Sequence, residues 1–447
     1  MRDVLRAWMR SMGMMVAVAA LGPVIGLDHL CLADDWPQWG GPERDLIWRE
    51  TGVVTEKLPQ PGPGGLLPRV WSAPLGDGYA GPAVAGGRVF VMDRQEERGS
   101  ERVVCLDAAN GKELWVHEYP VRYEVSYPAG PRSTPVIDEG RVYTIGAMGH
   151  MVCLDEETGN VLWRKNFVED YGTPIPTWGM VASPLVDGNQ LITLVGGRDG
   201  ALVVSFDKAS GKELWRALED PQVGYCPPMI FTLGGRPQLV VWHPEAVSSL
   251  DPENGRVFWQ VPYRVHSGLS VPAPRVKGDR LFVTSFYNGP RMIEVAPGGT
   301  RARVVWQGDS DSEIDTDGLH SIIATPVWEG EHLYGVCSHG QLRCLDARTG
   351  ERVWETFEAT GHDRWWNAFL IRYEPVPDRY FLHNEQGDLI IANLTPDGYE
   401  ELDRAKLVEP TRPVRRRMTI WSHPAFAMQS VFARNDKEIV RVSLKDE

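Results

Sequence analysis

The stretch that decides the fold is Cys105-Leu106-Asp107-Ala108-Ala109-Asn110-Gly111-Lys112-Glu113-Leu114-Trp115. It returns from Cys153 to Trp163, from Ser205 to Trp215, from Ser249 to Trp259 and from Cys344 to Trp354, and a worn copy ends at Trp306. Trp115, Trp163, Trp215, Trp259, Trp306 and Trp354 follow one another at intervals of 48, 52, 44, 47 and 48 residues. The pattern has a mechanical reading. Apolar residues before the Asp finish a strand, the Asp carboxylate accepts backbone N–H groups in the turn, and the Gly four residues on supplies positive φ. The Trp then lies on the next strand, where an indole buries on the order of 200 Å² and brings one N–H that wants an acceptor.

Ahead of each copy runs a strand pair, as in Thr134-Pro135-Val136-Ile137-Asp138-Glu139-Gly140-Arg141-Val142-Tyr143-Thr144-Ile145. Apolar alternation around an Asp/Gly turn is a hairpin signal. Innermost strands of this kind begin near Gly81, Thr134, Ser183, Pro227, Val271, Thr325, Asn367 and His423. A period in the forties fits one four-stranded blade per repeat. The chain therefore reads as all-β, an eight-bladed β-propeller of four-stranded antiparallel blades. The last repeat stops at Val442-Ser443-Leu444, without its turn and Trp strand. Trp71 stands 44 residues, one period, ahead of Trp115. Arg69–Leu75 is expected to supply the outer strand of the last blade and close the ring. Trp71, Trp115, Trp163, Trp215, Trp259, Trp306 and Trp354 are thus the expected structural docking residues.

With 46 Gly and 34 Pro in 447 residues, no later apolar-periodic stretch is long enough for a substantial helix. The formal net charge is −14, and no Lys/Arg stripe alternates with aromatics, which argues against nucleic acid as a partner. The one basic run, Arg415-Arg416-Arg417 beside Arg412, reads as a solvated turn or an intramolecular ion-pair cluster. At the N-terminus, Arg2, Arg6 and Arg10 precede an apolar run from Met12 to Leu27, and Cys31-Leu32-Ala33 offers small side chains at a cleavage site. The run is short of the ~20 residues that span a bilayer comfortably. Residues 1–33 are read as a Sec-type signal peptide, and Leu30 before Cys31 does not suit a lipid anchor. Residues 34–68 are then an extension packing on the propeller, with Trp39 on its flank, and 69–447 the propeller itself. Cleavage leaves Cys105, Cys153, Cys226, Cys337 and Cys344, an odd number. Three of them share one repeat position, as small buried hydrophobes would.

The eleven-residue signature resembles the tryptophan-docking motif of the quinoprotein alcohol dehydrogenases and their non-enzymatic relatives, which include the propeller lipoprotein of the outer-membrane assembly machinery. The opening Trp36-Pro37-Gln38-Trp39-Gly40-Gly41-Pro42-Glu43-Arg44-Asp45 and the close Trp421-Ser422-His423-Pro424-Ala425-Phe426-Ala427 resemble bacterial pyrroloquinoline-quinone-like repeat proteins. The resemblance covers roughly residues 34–444 and is specific for fold rather than activity. In the dehydrogenases it implies a quinone stacked between a Trp and a disulfide of adjacent cysteines, above a calcium ion and a catalytic Asp. This sequence has no adjacent cysteines and no Cys-x-x-Cys-His haem attachment.

A propeller's ligand site is the mouth of its central channel, formed by loops leading into the inner strands. Arg132, Trp178, His320, Trp365, Trp366 and His423 lie in such loops. Converging on one pocket, they would suit a flat or anionic ligand. Asp309 to Gly318 carries carboxylates at every second residue, making Asp311, Asp315 and Asp317 metal candidates, although the spacing departs from the twelve-residue calcium loop. No nucleophile elbow, phosphate-cradling Gly loop or His-x-x-x-His pair is present. The sequence thus points to an exported, monomeric, non-catalytic binding or scaffolding propeller of the periplasm or exterior. It has no cofactor and no membrane span after cleavage, and its partner is an envelope protein or small ligand. The alternatives are a dehydrogenase using pyrroloquinoline quinone with Ca²⁺, and a propeller binding envelope carbohydrate or another small ligand at its mouth.

Overall fold

The computed structural model describes residues 35–62, 64–127 and 129–446, so the expected signal peptide lies outside the described residues. Eight four-stranded antiparallel sheets follow one another along the chain. Blade 1 is Ala83–Ala85, Arg88–Gln95, Ser100–Asp107 and Glu113–Pro120; blade 2 is Val136–Asp138, Arg141–Ile145, His150–Asp155 and Val161–Asn166. Blade 3 is Leu185–Asp187, Gln190–Leu194, Val203–Asp207 and Glu213–Ala217; blade 4 is Met229–Leu233, Arg236–His243, Ala246–Leu250 and Val257–Pro262. Blade 5 is Arg275–Lys277, Arg280–Ser285, Gly289–Val295 and Ala302–Gln307; blade 6 is Val327–Glu329, His332–Val336, Leu342–Asp346 and Arg352–Thr356. Blade 7 is Ala368–Tyr373, Arg379–Asn384, Asp388–Thr395 and Gly398–Lys406. Blade 8 takes Ala425–Ala427, Ser430–Arg434 and Glu438–Ser443 from the end of the chain and Arg69–Pro74 from near its start. The inner strand of blade 1 touches those of both blade 2 and blade 8, so the ring is closed.

Closure follows the expected register. Arg69 pairs with Val442, Trp71 with Arg441 and Pro74 with Glu438, all antiparallel. The Trp71 indole donates to the Ala108 carbonyl of blade 1 at 2.8 Å. A Cβ on Gly111, whose φ is 74°, would stand 2.6 Å from the Trp71 ring, so this position needs Gly for its backbone and for the indole lying on it. The same step repeats from blade to blade. Trp115 bonds to Glu156 O, Trp163 to Lys208 O, Trp306 to Ala347 O and Trp354 to Thr395 O, at 2.8–3.1 Å. Each signature Asp accepts N–H groups of its own turn, as Asp107 does from Ala109 at 2.8 Å.

Two blades vary the step. Pro252 follows the signature Asp in blade 4, and Gln190 of blade 3 relays the contact. It accepts from Trp215 at 2.8 Å and donates to Pro252 O at 3.1 Å. Gln238 serves Trp259 likewise, accepting at 2.7 Å and donating to Gly299 O at 3.1 Å. The residue opposite the docking Trp is small in most repeats. Cys105, Cys153, Ser205, Ser249 and Cys344 pair across the strands with Trp115, Trp163, Trp215, Trp259 and Trp354. These cysteines are buried and unbridged, and burial pushes the Cys105, Cys153 and Cys344 thiols up to about 12.

The N-terminal extension packs on the propeller, but Trp39 departs from its expected place on the flank. Trp36 pairs with Val84 of blade 1, and Pro37 O accepts from Ile137 N of blade 2 at 2.9 Å. Arg44 reaches Pro184 O at the head of blade 3, and Ile47–Trp48 adds a parallel strand inside blade 7. Glu50 then accepts from Gln429 N of blade 8 at 2.9 Å. The segment is a plug that ties the inner strands of several blades together. Trp39, only 6 % exposed, lies within the ring rather than on its flank. The physical reason is that an indole and a guanidinium, placed outside the repeat register, find their burial among the inner strands.

Candidate functional site

At the mouth of the ring, the loops leading into the inner strands gather into a cup of about 410 Å³. Nine aromatic side chains line it among the described residues, with Trp39 of the plug joining Trp178, Trp365 and Trp421 from the loops. Tyr79, Tyr127 and Tyr225 stand in the wall with Phe286 and Tyr287 from the hairpin of blade 5. Aliphatic Val181, Val271, Ile322 and Ile323 fill the gaps, and Arg132, Arg364 and His423 are its basic members. Volume and composition suit a small-molecule site: concave, mostly apolar, with a few placed polar groups.

Four of the six mouth candidates converge here. Arg132 is held by three backbone carbonyls, Gly130 at 2.8 Å, Ser126 at 3.0 Å and Tyr127 at 2.6 Å, and its guanidinium lies 4.9 Å from the centre of the Tyr79 ring. Burial draws its pKa down. Trp178 meets Tyr225 edge-on at 5.6 Å. Trp365, in left-handed backbone with φ 68°, stacks under Arg364 at 4.6 Å and meets the Tyr127 edge at 6.2 Å. His423 accepts from the Trp39 indole at 3.3 Å. Burial, reinforced by His383, pulls the His423 pKa down to about 3, so it is a neutral imidazole at neutral pH.

The other two are elsewhere. His320 is fully buried, its ring nitrogens facing Phe286 O at 3.3 Å and Asp317 at 3.1 Å. Trp366 packs onto Gly361, where a Cβ would stand 2.7 Å from its ring, and so fills a blade seam. Both are near the mouth in sequence, but the turn of the chain points them into protein. The tyrosines were missed because no motif marks them; each sits in a loop whose path depends on its neighbours.

Asp311, Asp315 and Asp317 do not assemble into a metal site. Asp311 and Asp315 are exposed, and no group of three or more His, Cys, Asp or Glu able to hold a metal occurs among the described residues. Asp317 instead folds its own loop, accepting from the N–H groups of Asp309, Ser310 and Gly318. Burial works against its charge, but those bonds and the one from His320 prevail and hold its pKa low. The basic run is largely an ion-pair cluster. Arg417 bonds Glu385 and Asp363, and Arg412 bonds Asp436 at 2.8 Å and Asp77 at 3.2 Å.

One Ser–His–Asp chain does exist. Asp220 Oδ2 lies 2.6 Å from His243 Nδ1, and His243 Nε2 lies 2.9 Å from Ser248 Oγ. Its carboxylate and imidazole are 1 % and 3 % exposed and Ser248 is 0 % exposed, so no substrate reaches the hydroxyl. It is a strut that ties the connector before blade 4 to that blade. Nor does the cup fit a calcium-held quinone. No carboxylate is among its described lining residues to hold a dication, and the guanidiniums of Arg132 and Arg364 line it instead.

The chain matches the family model described as outer membrane protein assembly factor BamB over residues 68–128 and 99–356. It is 26% identical over 228 residues to the outer membrane protein assembly factor BamB of Burkholderia pseudomallei (strain K96243), covering 50% of this chain and 54% of that one. It is 25% identical over 169 residues to the quinohemoprotein alcohol dehydrogenase ADH IIB of Pseudomonas putida, covering 36% and 22%. The chain thus spans about half or less of the length of these curated relatives. Among solved structures, BamB from Moraxella catarrhalis superposes with a TM-score of 0.56 at 16% identity, over 84% of this chain and 99% of that one. The quinohemoprotein alcohol dehydrogenase from Comamonas testosteroni does so with 0.63 at 12% identity, over 93% and 81%. At such identities these likenesses speak for the fold alone. With eight blades and seven docking tryptophans in place and a family match across well over half its length, the chain belongs to the BamB-like family of pyrroloquinoline-quinone-like repeat propellers.

Proposed function

We propose that this is a non-catalytic binding propeller of the cell envelope, which holds its ligand or partner group at the aromatic cup. One observation carries the reading. The cup joins nine rings to a caged arginine and a neutral imidazole, while the one Ser–His–Asp chain described above is buried at blade 4. Such a lining gives affinity for a planar apolar group and offers no nucleophile paired with a base. Carbohydrate is less well served, since the cup has no carboxylate or side-chain amide among its described lining residues to bond sugar hydroxyls. The basic, then apolar, N-terminus supports export. Among the described residues, no helix is long and apolar enough to cross a membrane.

The test has two arms. Titration of the mature protein with pyrroloquinoline quinone and Ca²⁺, followed by absorbance, is expected to be flat. Dye-linked turnover with alcohols should be absent; stoichiometric binding with turnover would sink the proposal. Native purification with mass spectrometry of co-eluting molecules then identifies the occupant. Trp365→Ala should release it, whereas Trp163→Ala, remote from the cup, should affect stability alone.

A further inference from the structure

Beneath the cup lie two buried guanidiniums that neither the aromatic lining nor the docking tryptophans explain. Arg44 of the plug is 4 % exposed and Arg275 of blade 5 is 6 % exposed. Arg44 donates only to neutral acceptors, Gln38 Oε1 at 3.0 Å and Pro184 O at 2.8 Å, with longer contacts to Ser183 O and Pro228 O. Arg275 donates to Pro326 O at 2.9 Å and to Arg44 O at 3.3 Å. The carboxylate whose field reaches Arg275, Asp45, is itself bonded to Arg49 at 2.5 Å. Arg44 Nε and Arg275 Nη2 are left with no hydrogen-bond partner in the described protein.

Both cations also face Trp39, at 5.7 and 6.0 Å from its ring centre. The plug bends where Arg44 sits, with Arg44 at φ 56° and Leu46 at φ 64°, left-handed backbone that such residues avoid unless the surroundings impose it. Burial draws both pKa values down to about 10, which still leaves two positive charges at neutral pH. The nearby Cys226 thiol cannot neutralise them, because burial raises its pKa and keeps it protonated. Two buried positive charges with no carboxylate bonded to either are unfavourable.

We propose that a small monovalent anion of the chloride class binds here, accepting from Arg44 Nε and Arg275 Nη2 and clamping the plug to blade 5 beneath Trp39. The site belongs to the plug and does not depend on what the cup holds. Thermal unfolding of the mature protein is followed at fixed ionic strength while chloride replaces a large organic anion. The melting temperature should climb steadily with chloride, and Arg275→Met and Arg44→Met should abolish that dependence. A dependence that survives in both variants overturns the proposal. Because either variant could fail to fold, crystals of the unaltered protein grown in bromide decide the matter. Where the variants fail to fold, an anomalous peak between Arg44 Nε and Arg275 Nη2 upholds the site. A map with water or nothing there overturns it.

Discussion

The rim of this propeller and its centre are built on opposite principles. At the rim one device recurs: a Trp docks on the next blade's Gly turn and bonds a carbonyl there, as Trp71, Trp115 and Trp163 all do. The residue before that Trp is part of the device. The strand register slips beside it, as between Cys105 and Leu106 or Cys344 and Leu345, and leaves Leu114, Leu162, Leu214 and Val353 about half exposed. A bulge at the same place in blade after blade bends the outer edge and discourages edge-to-edge pairing. The centre repeats nothing. Trp39, Arg44, Arg132 and His423 come from a plug and unrelated loops, and each has different partners. What recurs docks blade on blade; what is unique fills the centre.

The largest expected effect tests whether the two regions are coupled. Deleting residues 34–75 removes both the plug and the closing strand, and should lower the melting temperature by about 10 °C or more, or abolish a cooperative transition. An unchanged melting curve would mean the ring holds without either. Next comes Trp163→Ala at the rim, expected to cost about 3–5 kcal/mol in denaturant unfolding. Trp39→Ala at the centre should cost a similar amount, since the indole is buried under the cup; a value near zero would return Trp39 to a mere covering role.

A third test separates rim from centre by pH. Burial holds His423 down at about 3 and His383 at about 4, against 6.5 when unfolded. The unfolded chain therefore takes up protons first as the solution is acidified. The stabilisation is complete above about pH 6.5 and is lost as pH falls toward 3–4, by roughly 5 kcal/mol for His423 and roughly 3 kcal/mol for His383, of which about 2 kcal/mol each is lost by pH 5. Denaturant unfolding at pH 7 and pH 5 should show this loss, and His423→Gln should shrink it while Trp163→Phe leaves it unchanged. The smaller change Trp39→Phe removes the bond to His423 and should cost about 1 kcal/mol. Smallest is Leu114→Ser on an exposed bulge, expected within about 0.5 kcal/mol of the parent protein.

The blades were legible in the sequence because their causes are local and repeated. An Asp, a Gly four residues later and a Trp four beyond that specify turn, φ and strand in a span of eleven residues, and the Trp71 interval even revealed the closing strand. Mouth loops could be named for the same reason, since each precedes an inner strand. Which side chains meet was another matter. Whether His320 turned to the cup or to Asp317, and whether Trp366 lined the cup or covered Gly361, depended on loops with no local rule. The spacing of the acidic run supplies metal candidates but suits a solvated loop better, and it does not tell that Asp317 closes its own loop. The plug was least legible of all. Its contacts with the inner strands join residues far apart in the chain, and burial of Arg44 and Trp39 is decided by the space a closed ring leaves at its centre. Local hydrogen bonding and backbone conformation are written in short stretches of sequence. The contents of a cavity are set only when every wall is in place.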